Sequence, residues 1–494
     1  MGEVAGSRIV SSHVRLLRLG FHDTDRAEIA LRALGLPIPG DPNWPGDPLG
    51  RPDRIVAPHA DQPPADEAGA DVVYELGRAA DPDLAVAALA RLGEAIQAGD
   101  PAPLPELTTA LRSDVALRRG LVRVLGASSA LGDHLVRHPD DWRALASPPD
   151  EELPERPDQA LHDLREACPQ AADGALDALR AGYRRGQFLI AAGDLTGAWV
   201  DDVAAALAAL ADAALQAAVA VAACDPSIAG ELAEGPVPLA VVGMGKCGGR
   251  ELNYSSDVDV IFVTDRDEHL RVATRLAESV IRICGEPTPS GVVFPVDAGL
   301  RPEGRAGPLV RTLASHEAYY RRWARTWEFQ ALLKARPVAG DLGLGARFVA
   351  AVEPLVWSVA GRADFVADVR RMRRRVEESL PRQAAERELK LGPGGLRDVE
   401  FAVQLLQLVH GRTDESLRSA TTLPALGALA AGGYVGRADA AGLARSYRFL
   451  RSAEHRLQLQ RLRRTHTIPT DPAALRWLGR SLGFMSDPAE EFLA

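Results

Sequence analysis

The chain has 494 residues, 46% hydrophobic and 25% charged, a soluble globular composition with length for about three domains. Fifty-seven lysines and arginines against 67 aspartates and glutamates give a net charge of −10, so no global basic field draws it to nucleic acid or an anionic membrane. Four scattered cysteines, Cys168, Cys224, Cys247 and Cys284, form no CxxC pair, which argues against a thiolate metal site and suits a reducing, cytoplasmic setting.

The first residues lack the charged-then-apolar pattern of a signal peptide, and the apolar stretch 203–224 is interrupted by Asp212 and Gln216, so no membrane span is expected. Residues 23–35 predict a short helix ended by Gly35. Nine prolines in 37–64 deny that segment helix and central-strand hydrogen bonding, and it reads as an extended linker. Helical periodicity then predicts helices at 84–98, 105–125, 128–146, 158–192 and 200–223. Only 237–242, 258–264 and 292–297 have strand composition, with an amphipathic helix at 269–284 between the last two. Helices follow at 343–356, 362–381, 397–410, 424–431 and 437–461. Residues 487–494 start another, with Asp487 as N-cap, and read as a chain cut inside a longer protein. The expected division is a helix and proline-rich linker (1–70), a helical region (71–224), an α+β domain (225–345), a helical bundle (346–486) and the start of a further segment (487–494).

Arginine outnumbers lysine 54 to three, so Lys246, Lys334 and Lys390 mark places where arginine's planar fork does not replace a compact ammonium. All three fall in dense motifs: 241–264, 326–341 and 389–401. In the first, a strand runs into Gly243, Gly245, Gly248 and Gly249, where backbone can approach a phosphate. Asp257 and Asp259 follow at a spacing of two, on one face of the next strand. Such a pair suits Mg²⁺, which binds few carboxylates plus substrate phosphate oxygens. Asp297 ends the third strand, with Arg301 and Arg305 in the loop beyond; three aspartates beside basic residues are the inventory of phosphoryl or nucleotidyl transfer. Against this, a DxD can be a surface feature of a half-buried strand, Lys246 a solvated lysine and Arg301 a structural ion-pair partner.

The segment GMGKCGGRELNYSSDVDVIF resembles the signature of the glutamine synthetase adenylyltransferase/adenylyl-removing family. The likeness continues through RAGYRRGQFLIAAGDLTG, LRPEGRAGPLVRTL, YYRRWARTWEFQALLKARPVAGD, GPGGLRDVEFAVQLLQLVHG and FLRSAEHRLQ, covering most of 72–470, and the start resembles actinobacterial members. It implies an α+β, mainly helical fold: a polymerase-beta-like nucleotidyltransferase domain embedded in helices, with a C-terminal helical bundle. GMGK, ELNYSSD and KLGPGGLRDVEF resemble the N-terminal, adenylyl-removing half, which implies phosphorolysis of the tyrosyl-AMP bond of glutamine synthetase with release of ADP. The alternatives are ATP-dependent adenylylation and a non-catalytic docking module. The implied partners are glutamine synthetase, nucleotide, inorganic phosphate and a PII-type signalling protein, and the implied cofactor is Mg²⁺ held by Asp257, Asp259 and Asp297. Gly245, Lys246, Gly248, Gly249, Ser256 and Arg301 are the candidate nucleotide or phosphate contacts. Cys247, Pro295, Gly299, Phe329 and Asp398 depart from the family pattern.

Three further features read as structural. Trp323 and Trp327 are expected to pack within helices rather than to form a base-stacking platform. The basic run 456–466 reads as a solvated helix face or domain contact, and His455 and His466 have no partner at metal-ligand spacing.

Overall fold

The computed structural model describes residues 11–42, 44–45, 66–99, 103–146, 172–233, 235, 237–288, 290–362, 365–378 and 386–494. Most of the predicted linker, Cys168 and the first part of the predicted 158–192 helix lie outside the described residues. Alanine- and leucine-rich periodicity forms helix, and polar punctuation decides where it stops. The predicted 105–125 helix is two, Pro103–Ser113 and Val115–Ala127, because the Asp114 carboxylate accepts from Ala116 N and Leu117 N and starts a new helix. The predicted 128–146 helix ends at Arg137 before Pro139, and a 3₁₀ turn, Pro139–Ala146, follows.

Five short strands form one mixed sheet: β1 (Ala240–Gly243), β2 (Val258–Thr264), β3 (Val296–Asp297), β4 (Val310–Thr312) and β5 (Arg336–Gly340). The order is β3-β2-β1-β5, with β4 also pairing β2. β1 runs antiparallel to β2 and β5, whereas β3 and β4 lie parallel to β2. The predicted third strand shrinks to two residues because Val293 and Phe294 turn into the core. β4 and β5 were not expected. β4 has three residues, and β5 carries Pro337 at a register shift on the sheet edge, where a missing N–H does least harm.

Strand alternation divides the core. Val258, Val260 and Phe262 belong with Leu276 and Val280 of the Leu270–Gly285 helix and with the Val200–Ala223 helix. Ile261 and Val263 belong with Tyr320, Phe329 and Phe348. Asp259 shares the parity of the second set and emerges at its end, next to the Thr326–Leu332 helix. The Val200–Ala223 helix is long and apolar enough to cross a membrane, yet it packs inside the protein, where its Asp212 grips Arg336 at 2.6 and 3.0 Å. A third apolar cluster joins the Leu396–His410, Thr422–Ala431 and Arg437–Leu459 helices. The architecture is α+β and mainly helical.

Candidate active site

A cavity of about 360 Å³ opens where the ends of β2 and β3 meet the Thr326–Leu332 and Leu396–His410 helices. Parallel pairing sets Asp259 opposite Asp297, and Asp257 enters two residues earlier, so the three aspartates reach one cavity. The turn between β1 and β2 closes the floor. Gly245 adopts φ 52°, and a Cβ there would overlap the Asp259 carboxylate, so glycine is required twice over. Ser256 also lines the cavity, its hydroxyl donating to Asp257 O at 2.8 Å.

All three lysines line this cavity. Lys246 Nζ lies 3.2 and 3.4 Å from the fully buried Glu454 carboxylate; burial lowers its pKa to about 8 although Glu454 opposes the shift. Lys334 is ion-paired with Glu251 and contacts Thr422 Oγ1. The Lys390 ammonium makes no hydrogen bond among the described residues, and burial, then neighbouring Arg397, pulls its pKa down. Lys390 is therefore the lysine whose ammonium is open to a ligand. Arg397, which stacks on Phe401 at 5.3 Å, and Arg464, ion-paired with Asp257, join the lining.

The carboxylates crowd one another. Burial, then Asp297 and Asp257, push the Asp259 carboxyl up to about 6, against the pull of Lys390 and Arg397. Among the described residues no group of three or more acidic, histidine or cysteine side chains is arranged to hold a metal ion. The expected three-aspartate ligand set is not assembled: Asp257 is turned to Arg464, and Asp297 accepts from Gly299 N at 2.7 Å. Asp259, whose carboxyl is pushed up, faces Asp297 across the paired strands, and these hard-oxygen donors still fit a divalent cation bound by one or two carboxylates and completed by substrate phosphate.

The remaining predicted contacts lie elsewhere. Gly248 and Gly249 do not line the cavity; a Cβ on Gly248 would overlap the Lys334 and Gly243 carbonyl oxygens, and one on Gly249 would crowd Ala420 O, so both permit close packing. Arg301 points away and donates to Ala298 O, Gly307 O and Arg305 O, clamping its own loop. Trp323 is 73% exposed rather than packed, against the expectation, whereas Trp327 is half-buried on the Thr326–Leu332 helix and also lines the cavity. The 456–466 run is a contact: Arg456 pairs with buried Asp194, and the Gln458 side chain accepts from Ser255 N. His455 is buried edge-on to Tyr254, and His466 Nδ1 is 2.8 Å from Glu454. Sequence reasoning did not assign Lys390, Arg397, Arg464, Gln330 or Gln404 to the site; lysine scarcity was the one available signal, and it marked the segments holding Lys390, Arg397 and Gln330.

A family model for glutamate-ammonia ligase adenylyltransferase matches residues 119–351, and one for GlnD PII-uridylyltransferase matches residues 370–494. The bifunctional glutamine synthetase adenylyltransferase/adenylyl-removing enzyme of Streptomyces avermitilis is 52% identical over 493 residues, 98% of this chain and 45% of that protein. Its counterpart in Streptomyces coelicolor is 52% identical, with the same shares covered. The enzyme of the same name from Mycolicibacterium smegmatis is 50% identical over 436 residues, 84% of this chain and 42% of that protein. The chain thus spans less than half the length of the curated relatives it matches.

Proposed function

The chain belongs to the family of bifunctional glutamine synthetase adenylyltransferase/adenylyl-removing enzymes, and on that premise we propose that it removes AMP from adenylylated glutamine synthetase by phosphorolysis. The observation that carries this reading is the meeting of three aspartates and all three lysines in one cavity. Inorganic phosphate attacks the adenylyl phosphorus, the bond to the tyrosyl oxygen breaks, and ADP leaves. Phosphate is already anionic at neutral pH, and a phenol of pKa about 10 is a tolerable leaving group, so the step needs placement more than a strong base.

Lys390 and Arg397 supply the positive charge that holds the incoming phosphate. Lys246, fixed by Glu454, keeps positive potential at the turn between β1 and β2. Asp259 and Asp297 would hold Mg²⁺, which when bound neutralises charge on the transferring phosphoryl group. Asp257, tethered to Arg464, orients the far wall. A PII-type protein is proposed as a further partner, supported by the match of residues 370–494 to the PII-uridylyltransferase model.

The test is incubation with adenylylated glutamine synthetase, phosphate and Mg²⁺, measuring ADP and AMP. Phosphate-dependent ADP is the expected product. Phosphate-independent AMP would replace phosphorolysis with hydrolysis, labelling of unmodified glutamine synthetase from ATP without removal would reverse the direction, and no turnover either way would leave a docking module.

A further inference from the structure

A second cavity, of about 450 Å³, shares no lining residue with the first; helices that precede β1 and the last helices of the chain both contribute to its wall. Four arginines line it, Arg78, Arg123, Arg456 and Arg480, against one carboxylate, Asp194. Much of this wall is fixed. Arg456 is ion-paired with Asp194 and donates to Ser481 O at 3.0 Å, and Arg480 donates to Ala79 O at 3.1 Å and Gly77 O at 2.6 Å. Arg123 donates to the buried Glu75 carboxylate and to Leu195 O, both at 2.9 Å.

Backbone carbonyl oxygens satisfy N–H groups without cancelling the charge behind them. Two carboxylates, Asp194 and Glu75, therefore answer four guanidiniums, while Asp81 and Arg476 act on Arg480 with opposite signs at longer range. The balance at the cavity is positive. Donors are also left over: Arg78, exposed at the end of the Glu67–Arg78 helix, makes no hydrogen bond or ion pair among the described residues, and neither Arg123 Nη2 nor the Ser452 hydroxyl makes a hydrogen bond among them. Ser452 and Arg456 stand four apart on the Arg437–Leu459 helix and line this cavity, whereas Glu454 leaves the opposite side of that helix to hold Lys246 in the catalytic one. One helix thus serves both cavities.

Guanidinium groups bind carboxylate and phosphate oxygens through paired N–H donors, and unspent donors on two helices beside uncancelled positive charge suit a ligand with two negative charges. We infer that this second cavity is a binding site for a small organic dianion bearing carboxylate or phosphate groups, held by Arg78 and Arg123 with Ser452 donating a further hydrogen bond. The site is separate from the aspartate cavity and does not depend on which reaction occurs there.

The experiment is calorimetric titration of the full chain at fixed ionic strength with succinate, glycerol 3-phosphate and uncharged succinamide. At least one dianion is expected to bind and succinamide is not; binding of only one dianion assigns the headgroup. Arg78→Gln, at an exposed side chain, should weaken that binding at least about tenfold, the loss of a charge-assisted contact. Ser452→Asp sets a carboxylate among the guanidiniums and should abolish binding, and it decides the question if the Arg78 variant does not fold. Lys390→Met, in the catalytic cavity, should leave dianion affinity unchanged. No binding of either dianion, succinamide binding as tightly as succinate, or affinity that survives both Arg78→Gln and Ser452→Asp overturns the proposal. Affinity lost with Lys390→Met overturns it too, by placing the anion among the catalytic lysines.

Discussion

Glu454→Gln tests the charge network that ties the turn between β1 and β2 to the C-terminal helices. Glu454 is fully buried, and three donors converge on its two oxygens: Lys246 Nζ at 3.2 Å, Arg451 Nη1 at 2.8 Å and His466 Nδ1 at 2.8 Å. Burial opposes its ionisation, yet Lys246, His466 and Arg451 outweigh burial and hold the carboxyl well below its ordinary range. Glutamine keeps the shape but turns an N–H₂ toward cationic donors and removes the charge that justifies burying Lys246 and Arg451. Breaking a buried pair from one side costs about 3–5 kcal/mol, the expected loss in urea unfolding at pH 7.

Because the folded-state pKa is depressed, the Glu454 contribution is complete above about pH 4.3, the unfolded value, and disappears as pH falls through the folded one. The gap between parent and variant should close in strong acid. Adding Lys246→Met should recover part of the loss, a coupling of about 0.5–3 kcal/mol, because the ammonium left unpaired by the first substitution is then gone. A Glu454→Gln penalty under about 1 kcal/mol at pH 7, or strict additivity with Lys246→Met, would refute the network.

Asp259→Asn should abolish phosphorolysis without unfolding the chain, and near-normal turnover at limiting Mg²⁺ would remove it from the site; Asp257→Asn, which releases Arg464, should lower turnover without abolishing it, and unchanged kinetics would remove Asp257 from the site. With its carboxyl raised to about 6, Asp259 makes the folded state lose stability as pH rises from about 3.9 toward that value, so Asp259→Asn should match the parent in acid and melt at a higher temperature above pH 6. Lys246→Arg should lower turnover although charge is kept, because a planar fork must enter a niche already shared by Arg451 and His466, and Lys246→Ala should lower it further, within about 30-fold to 1000-fold; steady-state kinetics at subsaturating phosphate decides. Gly248→Ala should cost about 3 kcal/mol or more in urea unfolding, since its Cβ would meet two backbone carbonyls that cannot swing aside.

What the sequence determined by itself was what period and composition encode locally. β2 has the bounds its alternating valines and isoleucine predicted, and the Leu270–Gly285 helix follows its apolar stripe. The spacing of two between Asp257 and Asp259 places both near one strand end. Lysine scarcity marked three distant segments, and the fold brings Lys246, Lys334 and Lys390 to one cavity. The scarcity could not distinguish their roles. Lys246 and Lys334 are paired to Glu454 and Glu251, more than eighty residues away in each case, while Lys390 faces the cavity without a hydrogen-bond partner among the described residues.

Only the tertiary structure decided which side chains share a wall. β4 and β5 are too short, and β5 too proline-marked, to show a strand period, and they exist because β1 and β2 offer them hydrogen-bonding edges. Glycine composition could not separate Gly245, which must clear the Asp259 carboxylate, from Gly248 and Gly249, which must clear backbone brought in by the Lys334 and Ala420 segments. Arg301 was near Asp297 in sequence, but neutral carbonyls of its own loop hold its guanidinium. Trp327, Gln330, Phe401 and Gln404 belong to two helices some seventy residues apart, and helical periodicity marks only that each pair shares a face. That the two faces meet across one cavity is a property of packing, because local periodicity sets which way a side chain leaves its helix and only the closed core sets what stands opposite.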